Sequence, residues 1–294
     1  MSTKTPTSFE EMDCAFPSSL AEALDLMADE STRGRPLAGG TDLMVQWESG
    51  VVNRPERSIS VKGLPELMGI SEAGDELVIG SGVTHMQLRS SDLVQKHVPS
   101  LAEAATTVGG FQIQTMGTVG GSVANASPAG DLAPSLLITE GRVVVANRER
   151  EREIPVTEFW QGYRKIDLQP DELIIRFHLP KKSAESREYW RKLGPRRAQA
   201  ISKVMGSCRG QVLDGQIQSF RVAIGSVAAT CVRLTGIEEW LLNRPLNEST
   251  LAEVEKRVTE EVQPIDDIRS TADYRRWVTG RMVRGFLENW LEPA

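Results

Sequence analysis

Hydrophobic positions along the chain follow two different periods. Leu20, Leu24 and Met27 recur at helical spacing behind Ser19, and Glu22 stands three residues after that serine, the pattern of a capping box. Short β-type runs follow at 36–38, 59–61 and 77–79, with a helix start between Asp42 and Trp47. Leu101, Ala104, Ala105 and Val108 form another helical stripe, and the apolar runs 143–146 and 173–179 predict strands. A polar run, 181–188, then interrupts the pattern and reads as a linker. Beyond it, runs at 203–213 and 216–224 flank Asp214-Gly215, a hairpin-turn signal. Helices are predicted near 232–242, 249–262 and 271–291. Helices and strands alternate in the first half, and a sheet backed by helices fills the second, which together give an α+β fold.

The stretch 109–134 breaks both periods. It holds six glycines and two prolines, and it reads as one long loop of the kind usually kept for function. Phe111, Ile113, Val119, Val123 and Leu132 run through it and argue that it is ordered.

Composition narrows the chemistry. At about 150 residues per domain, the 294 residues make about two domains. The charge balance, 34 basic against 40 acidic side chains, gives −6 and offers no basic footprint for nucleic acid. The apolar runs are too short to span a bilayer. Met1-Ser2-Thr3-Lys4-Thr5-Pro6 lacks the apolar centre of a signal peptide, so a cytoplasmic protein is expected. Cys14, Cys208 and Cys231 are dispersed and form no Cys-x-x-Cys pair. A metal site or iron–sulfur cluster held by this chain alone is therefore not expected. His85, His97 and His178 are equally scattered and read as packed or surface side chains. Any demanding chemistry falls to an organic cofactor.

Two glycine motifs are informative. In Leu37-Ala38-Gly39-Gly40-Thr41-Asp42-Leu43-Met44 a strand runs into a double glycine and then a helix. Glycine lets main-chain amides approach an anion, and a helix N-terminus adds a favourable dipole. Thr41 and Asp42 serve equally well as plain helix caps. The second motif, from Met116 to Asp131, contains Gly117-Thr118-Val119-Gly120-Gly121-Ser122. Two such loops, some 80 residues apart, suit a ligand with adjacent phosphates, or are two ordinary tight turns. Other motifs fail. Gly80-Ser81-Gly82-Val83-Thr84-His85 lacks the third glycine of a dinucleotide fingerprint, and Gly120-Gly121-Ser122-Val123-Ala124 lacks the last glycine of a nucleophile elbow.

These motifs, in this order, resemble the flavoprotein (medium) subunit of the molybdenum hydroxylase family, to which xanthine dehydrogenase and aerobic carbon monoxide dehydrogenase belong. The resemblance is carried by Ala38-Gly39-Gly40-Thr41-Asp42-Leu43, Gly117-Thr118-Val119-Gly120-Gly121 and Asn125-Ala126-Ser127-Pro128-Ala129-Gly130-Asp131-Leu132-Ala133-Pro134. Asp171-Glu172-Leu173, Lys192, Arg196-Arg197, Arg221-Val222-Ala223-Ile224-Gly225 and the segment from Asp267 to Arg276 extend it.

The resemblance implies a two-part FAD-binding module of the vanillyl-alcohol-oxidase-like (PCMH) type over 1–180. A linker over 181–188 and a C-terminal α+β domain over 189–294 would follow. Leu37, Ala38, Gly39, Gly40, Thr41, Asp42, Leu43 and Met44 would hold the FAD pyrophosphate, with Thr118, Val119, Gly120, Gly121 and Ser122 closing from the other side. Val108 and Ile174 match positions that touch the cofactor. Asp131 matches an aspartate that contacts FAD and, being a carboxylate, should avoid the diphosphate and face flavin-nucleotide hydroxyls. Lys192 matches a lysine near the flavin, and Ile201 a side chain near the isoalloxazine ring.

No residue of the chain is implied as acid, base or nucleophile. The implied partners are a large molybdenum-cofactor subunit and a small subunit with two [2Fe–2S] clusters, assembled as a dimer of heterotrimers. The chain departs from the family pattern at Gln114, Thr115 and Ser122, where relatives carry arginine and asparagines. The competing reading is a self-sufficient FAD oxidase or dehydrogenase with its own organic substrate. That reading wants a cluster of acid–base side chains in the C-terminal domain, where Tyr189 and Tyr274 are the only tyrosines.

Overall fold

The computed structural model describes residues 13–31, 33–196 and 198–291. Met1 to Pro6, read above for a signal peptide, and Arg197 lie outside the described residues.

The chain opens with a small parallel unit: β1 (Asp13–Ala15), α1 (Leu20–Ala28), β2 (Arg35–Leu37), α2 (Leu43–Glu48) and β3 (Arg57–Ser60). Its sheet has the order β1-β3-β2. Ser19 caps α1 by accepting from the Glu22 amide, as the capping box predicts. The Glu22 carboxylate, however, turns to the Ser18 amide and hydroxyl.

A larger unit follows. Its strands β4 (Ile70–Ala73) and β5 (Glu76–Gly80) lead into the short helices α3 (His85–Ser90), α4 (Asp92–His97), α5 (Pro99–Thr107), α6 (Phe111–Met116), α7 (Val119–Asn125) and α8 (Ala133–Thr139). The chain then returns through β6 (Arg142–Ala146), β7 (Glu151–Pro155), α9 (Val156–Phe159), the ribbon of β8 (Trp160–Gly162) and β9 (Lys165–Ile166), and β10 (Leu173–Pro180). β4-β5-β10-β6-β7 form one antiparallel sheet.

Alternation divides this sheet between two cores. Val144 and Ala146 pack toward the small parallel unit with Ile59 and Met27. Val143 and Val145 pack on the opposite side with Leu101, Val119 and Leu136. In β10 a bulge between Ile174 and Arg176 resets the alternation. Leu173 and Ile175 therefore face one core, and Ile174, Phe177 and Leu179 the other. This explains why 173–179 reads as a nearly continuous apolar run.

The expected loop at 109–134 is largely helical. α6, α7 and the start of α8 occupy it, and their six or seven residues each are too short to show a hydrophobic period. Tertiary packing sustains such helices rather than intrinsic propensity.

The C-terminal half contains β11 (Arg187–Leu193), β12 (Val204–Leu213), β13 (Gln216–Gly225) and β14 (Val232–Arg233), an antiparallel sheet in that order. α10 (Thr235–Leu241), α11 (Glu248–Glu261) and α12 (Ala272–Glu288) cover one face of it. The hairpin turn is as predicted, with Asp214 (φ 50°) and Gly215 (φ 71°) both left-handed. The helix expected from 232 starts three residues later, because Val232 and Arg233 pair with β13. Arg187 and Glu188, the end of the polar run 181–188, belong to β11. The other face of this sheet packs on α5 and α8, so Trp190, Met205, Ala223 and Cys231 join the core of the first half.

Candidate functional site

The two glycine motifs meet in space. β2 ends at Leu37, whose carbonyl accepts from the Val61 amide at 3.0 Å. The chain then turns through Gly39 and Gly40 (φ 69°) into α2, where the Met44 amide donates back to the Gly40 carbonyl at 3.0 Å. Among the described residues, nothing accepts from the amides of Gly39, Gly40, Thr41 and Asp42. Four adjacent unpaired donors at a chain turn form an anion nest.

The second motif is pinned from behind. The His85 amide donates to the Gly117 carbonyl, Val119 to Val83 and Gly120 to Ser81, at 3.1, 2.9 and 2.8 Å. Thr118 caps α7 by accepting from the Gly121 amide at 3.1 Å. A Cβ on Gly120 would stand 2.7 Å from that of Ser81, and a Cβ on Gly39 only 1.9 Å from the Met116 carbonyl oxygen. Glycine at 39 thus permits the backbone of one loop to lie against the other. Gln46 from α2 adds a hydrogen bond to Asn125 of α7 at 2.9 Å.

Two adjoining clefts open from this junction. The first, of about 290 Å³, is lined by Ala38, Gly39, Gly40, Thr41, Asp42, Leu43, Val108, Thr118, Gly120, Gly121, Ser122 and Ile174 among the residues singled out in the sequence. The second, of about 880 Å³, lies between the halves and is lined by Asp131, Lys192 and Ile201, and also by Asp42, Val108 and Ser122. Leu37, Met44 and Val119 line neither. Leu37 pairs with β3, Met44 sits in α2, and Val119 is fully buried in the core.

Asp131 and Lys192 form an ion pair at 2.6 Å, and Lys192 also donates to the Thr107 carbonyl at 3.0 Å. Burial raises the Asp131 carboxyl to about 6, against the opposing pull of Lys192. Its second oxygen, Oδ1, is buried without a partner. Asp131 therefore stands in the second cleft beside a cation.

Several site residues escape sequence reasoning. His85 lines the first cleft beneath Gly117. Its Nδ1 is buried and unpaired, and burial lowers its pKa to about 4, so the ring is neutral. No local signal marks it, since the Gly80-Ser81-Gly82 motif preceding it fails as a dinucleotide fingerprint. Glu172, also at this cleft, is fixed by Arg152 at 2.7 Å, with Asp167 sharing the guanidinium. Gln114, one of the departures from the family pattern, is buried. It donates to the Thr106 and Val108 carbonyls at 2.9 and 3.1 Å and accepts from Arg89 at 2.7 Å. Through this glutamine Arg89 ties α3 to α6. Among the described residues no group of His, Cys, Asp and Glu could hold a metal ion, and no helix is long and apolar enough to cross a membrane.

A cofactor with a diphosphate fits this site on its own observations: an unpaired amide nest, two glycines that no Cβ could replace, and a cleft that adjoins a second one holding a partly buried cation. Residues 8–182 match the family described as the FAD binding domain in molybdopterin dehydrogenase, and residues 189–290 match the CO dehydrogenase flavoprotein C-terminal domain. The chain is 32% identical over 279 residues to the putative xanthine dehydrogenase FAD-binding subunit of Escherichia coli K12, covering 94% of each. It is 28% identical to the carbon monoxide dehydrogenase medium chain of Hydrogenophaga pseudoflava, over 91% of this chain and 93% of that one. A solved structure of the carbon monoxide dehydrogenase from that organism, in a form lacking the Mo-pyranopterin moiety, superposes with a TM-score of 0.89 at 26% identity, over 94% of this chain and 95% of that one. The fold, the glycine loops and these likenesses agree: the chain belongs to the family of FAD-binding subunits of the molybdopterin dehydrogenases, oxidoreductases of several subunits.

Proposed function

We propose that this chain carries FAD as the electron-transfer subunit of a cytoplasmic, three-subunit molybdenum hydroxylase. A large subunit with the molybdenum cofactor oxidises the substrate, and a small subunit with two [2Fe–2S] clusters passes the electrons here. The chain hands them to an external acceptor, and two such heterotrimers pair. FAD supplies an acceptor that exchanges electrons singly or in pairs.

The protein's part is binding and electrostatics. The amides of Gly39 to Asp42 hold the pyrophosphate, and Thr118 to Ser122 close the cradle from the other side. Val108 and Ile174 give the first cleft apolar walls. Lys192 places a cation where reduced flavin carries negative charge, Asp131 balances and orients that cation, and Ile201 covers the second cleft.

The observation that carries this reading is the contact between the two glycine loops at Gly39 and Met116, with unpaired amides facing the cleft. The test is anaerobic mixing of the purified chain with the substrate of the co-purifying molybdenum subunit, alone and with both partners. The flavin is expected to stay oxidised in the isolated chain and to bleach once the partners are added. Rapid bleaching without partners would instead establish a self-sufficient oxidase.

A further inference from the structure

The sheet of the C-terminal half is clamped onto α5 at both ends of that helix. α5 starts at Val98, which has no side-chain oxygen to cap it. Its early amide at Ser100 is satisfied from the other half of the molecule: Ser100 N–H donates to Glu188 Oε2 at 3.1 Å, and the Ser100 hydroxyl donates to the same oxygen at 2.7 Å. At the far end, the Thr107 carbonyl accepts from Lys192 Nζ at 3.0 Å. Glu188 and Lys192 lie four residues apart on one face of β11, a span of about 13 Å. Ser100 and Thr107 lie seven apart on the helix, about 10.5 Å. The strand therefore runs along the helix with a carboxylate at the positive pole and an ammonium at the negative pole.

Glu188 is itself locked. Its side chain is fully buried, and its Oε1 accepts from Arg209 Nε and Nη2 at 2.6 and 2.5 Å. Arg209, on β12, also donates to the Pro180 carbonyl at 3.1 Å. Lys192 carries its second hydrogen bond to Asp131 in the cleft. Because side chains of a strand alternate, a slip of β11 by one residue would turn Lys192 away from the cleft altogether.

We propose that Glu188 and Arg209 are positioning residues for the flavin site: they fix the register of β11 on α5 and thereby hold Lys192 against Asp131 and the cofactor. The inference rests on the reading that Lys192 faces the flavin, and it assigns to a buried pair outside both clefts a share in setting the flavin's redox balance. Loosening the clamp lets the Lys192 ammonium drift from the position where it favours the reduced form.

The experiment is a double-mutant cycle on the FAD-loaded protein, read by equilibration of the flavin with a reference dye. Lys192→Met and Glu188→Gln are each expected to lower the preference for reduced over oxidised flavin about tenfold, a shift of about 30 mV for a two-electron couple. In the Lys192→Met background, Glu188→Gln should add less than a twofold change, because its effect passes through the lysine. Val254→Ala, on the buried face of α11, should lower the melting temperature and leave the potential in place. Should Glu188→Gln not fold, Ser100→Ala removes one donor to the same carboxylate and is expected to shift the potential in the same direction by a smaller amount. A wild-type potential in Glu188→Gln, or in Ser100→Ala where Glu188→Gln does not fold, or an equal shift in both lysine backgrounds, would overturn the proposal. An unmoved potential in Lys192→Met alone would overturn the reading of the site and this inference with it.

Discussion

The sharpest perturbation the structure offers is a single methyl group at Gly39. A Cβ there would lie 1.9 Å from the Met116 carbonyl oxygen, 2.5 Å from its carbon and 2.9 Å from Gly117 Cα. All three are backbone atoms, so no side chain can swing aside. Reaching the about 3.5 Å at which non-bonded contacts become favourable would part the loops by about 1.6 Å. The Met116 side cannot retreat freely, since the Gly117 amide is held by Ile113 at 2.7 Å and its carbonyl by the His85 amide at 3.1 Å. Overpacking of this kind costs about 1–3 kcal/mol. In the flavin-free Gly39→Ala variant the loops relax apart, and binding must close them again. The cost therefore falls on affinity, which Gly39→Ala should weaken about 5- to 150-fold. Titration of the flavin-free protein with FAD, followed by quenching of flavin fluorescence, reads this directly. Gly285→Ala is the control, since its backbone, like that of Gly39, is not left-handed and a Cβ there meets nothing within 4 Å. Gly39→Ala protein that binds FAD as tightly as wild type would refute the two-loop cradle.

Three further outcomes are expected. FAD is bound without a covalent link: neither glycine loop contains a histidine, cysteine or tyrosine, and His85 is buried beneath Gly117, so acid precipitation should release all yellow colour to the supernatant. Asp131, raised to about 6 by burial, keeps a proton in the native state that the unfolded chain releases near pH 4. Native protein therefore binds more protons between about pH 4 and 6, and the stability of the flavin-free protein falls as pH rises through that window; urea midpoints across it should show a flatter slope in Asp131→Asn than in wild type. Gln114→Ala strips partners from Arg89 and from the Thr106 and Val108 carbonyls, and should destabilise by about 2–3 kcal/mol in thermal melts while leaving the glycine loops in place.

What the sequence displays and what it hides divide along a physical line. The double glycines at 39–40 and 120–121 are readable because a strand, a sharp turn and a helix start are local events. Which glycine matters most is not, because Gly39 is critical only through its contact with Met116, 77 residues away in the chain. Composition marked 109–134 as functional yet hid its helices, whose packing partners lie elsewhere in the chain. The resemblance points to Asp131 and Lys192 singly and does not pair them, since nothing local ties residues 61 apart. His85 gave no sign of its place in the cleft wall, because its burial depends on how Gly117 folds over it. Val98 offers α5 no capping oxygen, and the substitute, Glu188, arrives from another sheet and leaves no local trace in the sequence.

The arrangement of the two clefts separates two tasks that flavoproteins must perform together. The first cleft is built within the first half of the chain, and its donors are backbone amides whose strength a side-chain substitution changes little. The second draws Asp131 from one half and Lys192 from the other, so its charge balance exists only while the halves are docked. Substitutions in the glycine loops are therefore expected to change how tightly FAD is held while its potential stays near that of wild type. Substitutions along β11 are expected to change the potential while affinity for the diphosphate end persists. The electrostatic reason is range: a charge buried in a low-dielectric cleft acts strongly on a neighbouring charge, whereas a neutral amide nest acts mainly on the anion it touches. A fold that placed both functions in one loop would tie the flavin's redox balance to its retention. On the proposed reading, the interface between the halves tunes the one without loss of the other.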